Sequence, residues 1–189
     1  MKLYGVFSLV YLIFLYPAVA ITPTPPVVPS RHLIQNVPYV RQRREHCGPA
    51  SLAMVFGRYN VILAQDELAE EFYQKKLSGS LNLDMLISAR RHGFAAFTPE
   101  GSMDLLRKYI SSDVPIIVMV RSSANSKKYH FMVIYGYDDT RELFRIHSGR
   151  TRDGTIRYQE LDQIWAPTGK WMLVVERKDW GEWTVGSGE

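Results

Sequence analysis

At Val114 the hydrophobic pattern changes period, and that change limits the fold more than any other feature of the chain. Ahead of it, apolar residues recur at helical spacing. "AQDELAEEFYQKK" sets Leu68 and Phe72 on one face of an amphipathic helix. Pro49 suits a first helical turn, where its missing N–H costs nothing, and "ASLAMVFGRY" continues with strong helix formers. Asn82 is a candidate cap for "LDMLISARRHG", which closes on basic residues and Gly93, and Ser102 is a candidate cap for "MDLLRKYIS". From Val114, the β-branched run "VPIIVMVR" predicts a central buried strand. "HFMVIYGYD", "LFRIH" and "KWMLVVER" follow as strands, with turns at Asp138-Asp139 and Ser148-Gly149 and a short helix at "YQELDQIW". Helices first and an antiparallel sheet after them predict an α+β domain.

The N-terminus is expected to lie outside that domain. "MKLYGVFSLVYLIFLYPAVA" has one basic residue, an apolar run, Pro17 and the triplet Ala18-Val19-Ala20, the pattern of a secretory signal peptide over residues 1–20. An uncleaved anchor is the competing expectation, against which the apolar core is short and Pro17 breaks its helix. Residues 21–30, "ITPTPPVVPS", read as a stiff proline-rich tether, the folded domain as 31–178 and the remainder, 179–189, as a tail. An exported protein, periplasmic or secreted, with no stable membrane association after cleavage, is the expectation. A composition of 46% hydrophobic and 22% charged residues excludes the disordered class. The net charge of +4 is scattered rather than gathered into a basic run, which argues against nucleic acid as a partner.

The chain has a single cysteine, Cys47, so no disulfide framework is available. It stands directly before Gly48-Pro49, at the start of a predicted helix. There the peptide dipoles favour a thiolate, though by only about 0.3–1 kcal/mol. Cys47 is thus either a buried small hydrophobe or a nucleophile, and a nucleophile needs a base. Of the five histidines, His46 is adjacent and points elsewhere, His92 closes a helix, and His32 lies near the tether. His130 opens the strand "HFMVIYGYD", where a ring is held rigidly and still faces a cleft. The pair His130 and His147 lacks an evident third ligand, so no metal and no cofactor are expected.

"VPYVRQRREHCGPASLAMVFGRYN" followed by "YHFMVIYGYDD" resembles the peptidase C39 family, whose fold is papain-like. The resemblance runs from Val37 to about Val175. It implies that Cys47 is the nucleophile, that His130 takes its proton, and that Gln42 helps form the oxyanion hole. One donor of that kind is worth about 2.7–4 kcal/mol of barrier. The family places Asp or Asn after the next strand to orient the histidine. Here "FRIHSG" puts His147 and Ser148 at that place, with Asp138 and Asp153 as further candidates for the role. The best-known members are fused to an export ATPase and cut leader peptides after Gly-Gly. This sequence contains no "GxxxxGK[ST]" phosphate loop. The expectation is a stand-alone cysteine peptidase acting on a peptide or protein through an acyl-enzyme. A non-catalytic peptide-binding module and a cell-wall peptide amidase are the alternatives.

Overall fold

The computed structural model describes residues 29–74 and 79–178. The signal-like segment, the tether up to residue 28 and the tail lie outside the described residues. In chain order the elements are β1 (Arg31–Leu33), α1 (Cys47–Arg58), α2 (Gln65–Phe72), β2 (Tyr73–Gln74), β3 (Gly79–Ser80), α3 (Asn82–Arg91) and β4 (Phe94–Phe97). Then come α4 (Met103–Ser111), β5 (Ile116–Arg121), β6 (Tyr129–Asp138), β7 (Leu143–Ser148), β8 (Thr151–Arg157), α5 (Tyr158–Trp165), a 3-10 turn (Ala166–Thr168) and β9 (Met172–Arg177).

The sheet is antiparallel, in the order β4-β9-β5-β6-β7-β8, and β1 pairs with the far end of β6. Alternation along its central strands builds two cores. Ile116, Val118, Val120, Met132, Ile134, Met172 and Val174 face α4 and α5, meeting Leu106, Ile110, Leu161 and Trp165. Ile117, Phe131, Val133, Leu173 and Val175 face α1, with Leu68 and Phe72 of α2 and Met85 and Ala89 of α3 in the same core. Each such side chain contributes roughly 1.5–3 kcal/mol on burial. Helix α1 is buried at every residue from Gly48 to Phe56, as befits a helix apolar on all sides. The domain is therefore α+β and papain-like, with α1 packed against the start of β6.

Several expectations changed. Helix α2 stops at Phe72, because Tyr73 and Gln74 pair with Ser80 and Gly79 as a small hairpin. The Tyr73 hydroxyl donates to Glu45 Oε2 at 2.7 Å, so a tertiary contact overrides the helix propensity of "YQKK". Asn82 lies inside α3, whose cap position is Leu81 with no side-chain bond. Ser102 does cap α4, its Oγ accepting from the Leu105 N–H at 3.0 Å. Gly93 ends α3 at φ 86, in the left-handed region that favours glycine. Strands β4 and β8 were not expected. β8 is an edge strand, exposed at most positions, and so carries no apolar alternation.

Gly101 is buried where an added Cβ would collide with the Lys170 carbonyl oxygen and the Trp165 ring. Gly101→Ala is expected to lower stability by about 1–3 kcal/mol, read as a lower melting temperature. An unchanged melting temperature would contradict this packing.

Candidate active site

Helix α1 begins at Cys47 in an unusual electrostatic setting. Its cap residue, His46, makes no side-chain capping bond, and the first turn holds no acidic residue. Pro49 has no N–H, and the Ala50 N–H is already bonded to the His46 carbonyl at 2.9 Å. The free amides of the turn are thus those of Cys47 and Gly48, and these, with the backbone N–H of Phe131, favour the Cys47 thiolate. The helix end meets β6 one residue past His130. Burial still raises the thiol pKa, and these three N–H contacts offset it only in part.

His130 and Cys47 line one cavity of about 1130 Å³ together with Gln42. Its remaining walls come from Gly79–Leu83 on the helical side, from Met119 and Lys127–Phe131 on the sheet side, and from Pro167 and Thr168 of the 3-10 turn. The His130 pKa is pushed below the ordinary imidazole value by burial. Its Nε2 lies 2.9 Å from Ser148 Oγ. Among the four candidates for orienting this ring, Ser148 is the one in contact.

His147 serves a different purpose. It is 1% exposed, its Nε2 lies 3.2 Å from the Val37 carbonyl, and its Nδ1 accepts from the Asp153 N–H at 3.2 Å. Its ring stacks on Tyr135 at 4.4 Å between centroids. Burial holds its pKa down as well. Asp153 accepts a hydrogen bond from the Tyr135 hydroxyl, and Asp138 accepts one from the Arg141 N–H. His32 contacts Asp113 and His92 contacts Glu71, each across elements away from the cavity. Among the described residues, no group of three or more His, Cys, Asp or Glu is arranged to hold a metal ion.

The placement of Gln42 depends on residues that sequence reasoning passed over. Gln65, at the start of α2, clamps the backbone on both sides of it: Nε2 donates to the Arg41 carbonyl and Oε1 accepts from the Arg43 N–H, each at 2.8 Å. The Gly149 carbonyl accepts from the Gln42 N–H at 3.2 Å and from the Tyr39 hydroxyl at 3.1 Å. Gly149 sits at φ 58, and a Cβ there would stand 3.5 Å from Gln42 Oε1 and 3.8 Å from His130 Cε1. The turn after β7 therefore wedges Gln42 and His130 together. Gln42 Oε1 is buried and has no hydrogen-bond partner among the described residues, and the same is true of Ser80 Oγ on the opposite wall. Only the turn character of Ser148-Gly149 was visible in the sequence, and nothing local marks Gln65 as a clamp.

The comparisons with known proteins agree with this fold. The family model described as "Peptidase_C39 like family" matches residues 34–172. A solved protein of Bacillus anthracis described as a C39-like peptidase has 16% identity and a TM-score of 0.64, covering 78% of this chain and 98% of its own. A double-glycine-motif protease from an AMS/PCAT transporter, solved with its leader peptide, has 21% identity and a TM-score of 0.61, at 78% and 98% coverage. Xylellain, a cysteine protease of Xylella fastidiosa, has 13% identity and a TM-score of 0.53, at 80% and 87% coverage. At these identities the solved structures establish the fold. No curated protein matches the sequence at a significant level.

With the thiol pKa raised, thiolate forms only at a pH above the ordinary cysteine range. Alkylation of Cys47 by iodoacetamide in the free protein should therefore be slow near neutrality and climb with a midpoint above about pH 8.5. Fast labelling with a plateau near pH 6 would instead reveal a standing thiolate–imidazolium pair.

Proposed function

The chain belongs to the Peptidase_C39 like family, and from that premise we propose that it is an exported cysteine peptidase hydrolysing peptide bonds through an acyl-enzyme on Cys47. The observation that supports this most is the meeting of Cys47, His130 and Gln42 in one cavity, with the amide of Phe131 on the sulfur. The relative solved with a leader peptide supports a peptide as the ligand. Residues 1–20, with their signal-like sequence, support export.

In the proposed reaction His130 Nε2–H donates to Ser148 Oγ, which leaves Nδ1 as the basic nitrogen. Nδ1 takes the thiol proton as the sulfur attacks the carbonyl carbon, and the carbonyl electrons move onto oxygen. The Gln42 carboxamide and the Cys47 N–H hold that oxyanion. The intermediate collapses, the C–N bond breaks, and the departing amine takes the proton from His130. A water activated by the same ring then attacks the thioester, releasing the acid and restoring the thiol. Both groups start neutral, because burial lowers the histidine pKa and raises that of the thiol. His130 thus works as a general base during attack.

Ser148 is the point where a second reading enters. A hydroxyl orients the ring but brings no charge to stabilise the imidazolium, which favours a non-catalytic peptide-binding module. The two readings separate on variants. For a peptidase, Cys47→Ala and His130→Ala each abolish turnover of a cleavable peptide while circular dichroism and melting stay native. Gln42→Ala lowers kcat about 100- to 1000-fold. Peptide binding without turnover or thioester formation in the native protein would select the binding module.

Ser148 itself has a sharper signature. Ser148→Ala is expected to lower kcat about tenfold through the lost hydrogen bond. Ser148→Asp is expected to move the acid limb of the kcat/KM profile to higher pH, because a carboxylate raises the His130 pKa. An acid limb unmoved by Ser148→Asp would remove Ser148 from this role.

A further inference from the structure

Gln42 and Glu45 line a second cavity, of about 310 Å³, whose other walls are Arg43, Arg44, Gly149 and Arg150. It adjoins the larger cavity through the two residues that line both. The Arg43 and Arg44 side chains are 68% and 93% exposed. Both side chains therefore stand largely in solvent at the edge of the cavity. Arg43 is paired with Asp66 at 2.6 Å, and Arg44 Nε lies 3.8 Å from Glu45 Oε1. Arg150 is exposed and makes no ion pair among the described residues. Three arginines and one glutamate thus line a small cleft, and one of the arginines has no ion-pair partner among the described residues.

The position of this cleft relative to the reacting groups gives it a direction. The departing amine takes its proton from His130, so the chain attached to it runs out over the imidazole. Gly149 borders that ring on its Cε1–Nε2 edge, where a Cβ would stand 3.8 and 3.9 Å away, and it is also a wall of the small cavity. The larger cavity extends instead over Ser80–Leu83 and Lys127–Phe131. We propose that the arginine-rimmed cavity receives the leaving-group side of the substrate and favours a carboxylate on the first residue beyond the cleaved bond. This inference rests on the peptidase reading above and adds a substrate preference to it. An apolar wall with cations at its mouth matches an acidic side chain, whose methylene stem lies on the wall. A free C-terminal carboxylate at the same place offers the same chemistry.

The test is a set of peptides with one shared acyl half. Three are C-terminally amidated and carry Glu, Gln or Lys just beyond the bond. A fourth ends there with a neutral residue and a free carboxylate. The Glu peptide is expected to exceed the Gln peptide about tenfold in kcat/KM at low ionic strength, with Lys lowest, and the ratio is expected to shrink in high salt. Arg150→Glu should bring the Glu and Gln peptides together or invert them. The fourth peptide shows whether a chain terminus is accepted as readily as a side chain.

A Glu-to-Gln ratio within about twofold of unity, or one indifferent to both salt and Arg150→Glu, would overturn the proposal. Binding to Cys47→Ala, measured by fluorescence anisotropy, keeps the two inferences apart. Tighter, Arg150-dependent binding of the Glu peptide upholds the subsite even where no peptide is turned over. Equal binding of all the amidated peptides rejects it.

Discussion

The constraint on which the site depends is the packing of the start of α1, at Cys47, against the start of β6, at Phe131. It joins the first residue of the most buried helix to the start of the most buried strand. Both partners are immobilised by large apolar surfaces: α1 is buried from Gly48 to Phe56, and β6 from Phe131 to Tyr137. The two elements come from opposite sides of the change in hydrophobic period. Bringing them together closes a long loop, a cost that only extensive burial can offset. The site is therefore held in place by the core that the whole domain builds, and no local motif could have built it alone.

What happens electrostatically at that contact follows from burial. The thiolate has three N–H contacts in its favour, from Cys47, Gly48 and Phe131, yet desolvation outweighs them. Among the described residues, no carboxylate acts on His130 to offset its own desolvation. A charged orienting residue would favour the imidazolium; the Ser148 hydroxyl holds the ring in place without doing so. The arrangement thus preserves geometry while leaving both groups neutral. In the proposed reaction, proton transfer would then wait until a carbonyl is present to accept the sulfur.

Much of this was legible in the sequence because the carrying signals are local. Gly48-Pro49 after Cys47 marks a helix start, and His130 heads an apolar run whose burial is unambiguous. Ser148 could be named as a candidate, beside His147, Asp138 and Asp153, because the family resemblance implies an orienting residue after the strand that follows. The surroundings of the site were not legible, since they are made by meetings of distant residues. Gln65 was one polar residue among several at a helix start, and only the fold shows that it grips the chain around Gln42. The same holds for Ser80, which reaches the cavity because α2 ends early in a hairpin. Strand β4 is too short, and β8 too exposed, to show a period.

Neutrality at rest also bears on the compartment proposed for the protein. A lone thiol outside the cytoplasm meets oxidants with no partner cysteine to form an internal disulfide. Oxidation and disulfide exchange both proceed through the thiolate, and their rates follow its population. A thiol whose pKa is raised by burial presents little thiolate to small oxidants at neutral pH. On the proposed peptidase reading, a bound peptide would change that balance by placing its carbonyl between the oxyanion donors and the sulfur, where proton transfer to His130 would lead directly to bond formation. In that reading, the lack of a carboxylate bonded to His130 among the described residues acts in two ways. It slows attack by making the imidazolium costlier, and it keeps the nucleophile silent toward everything that fails to fill the cavity.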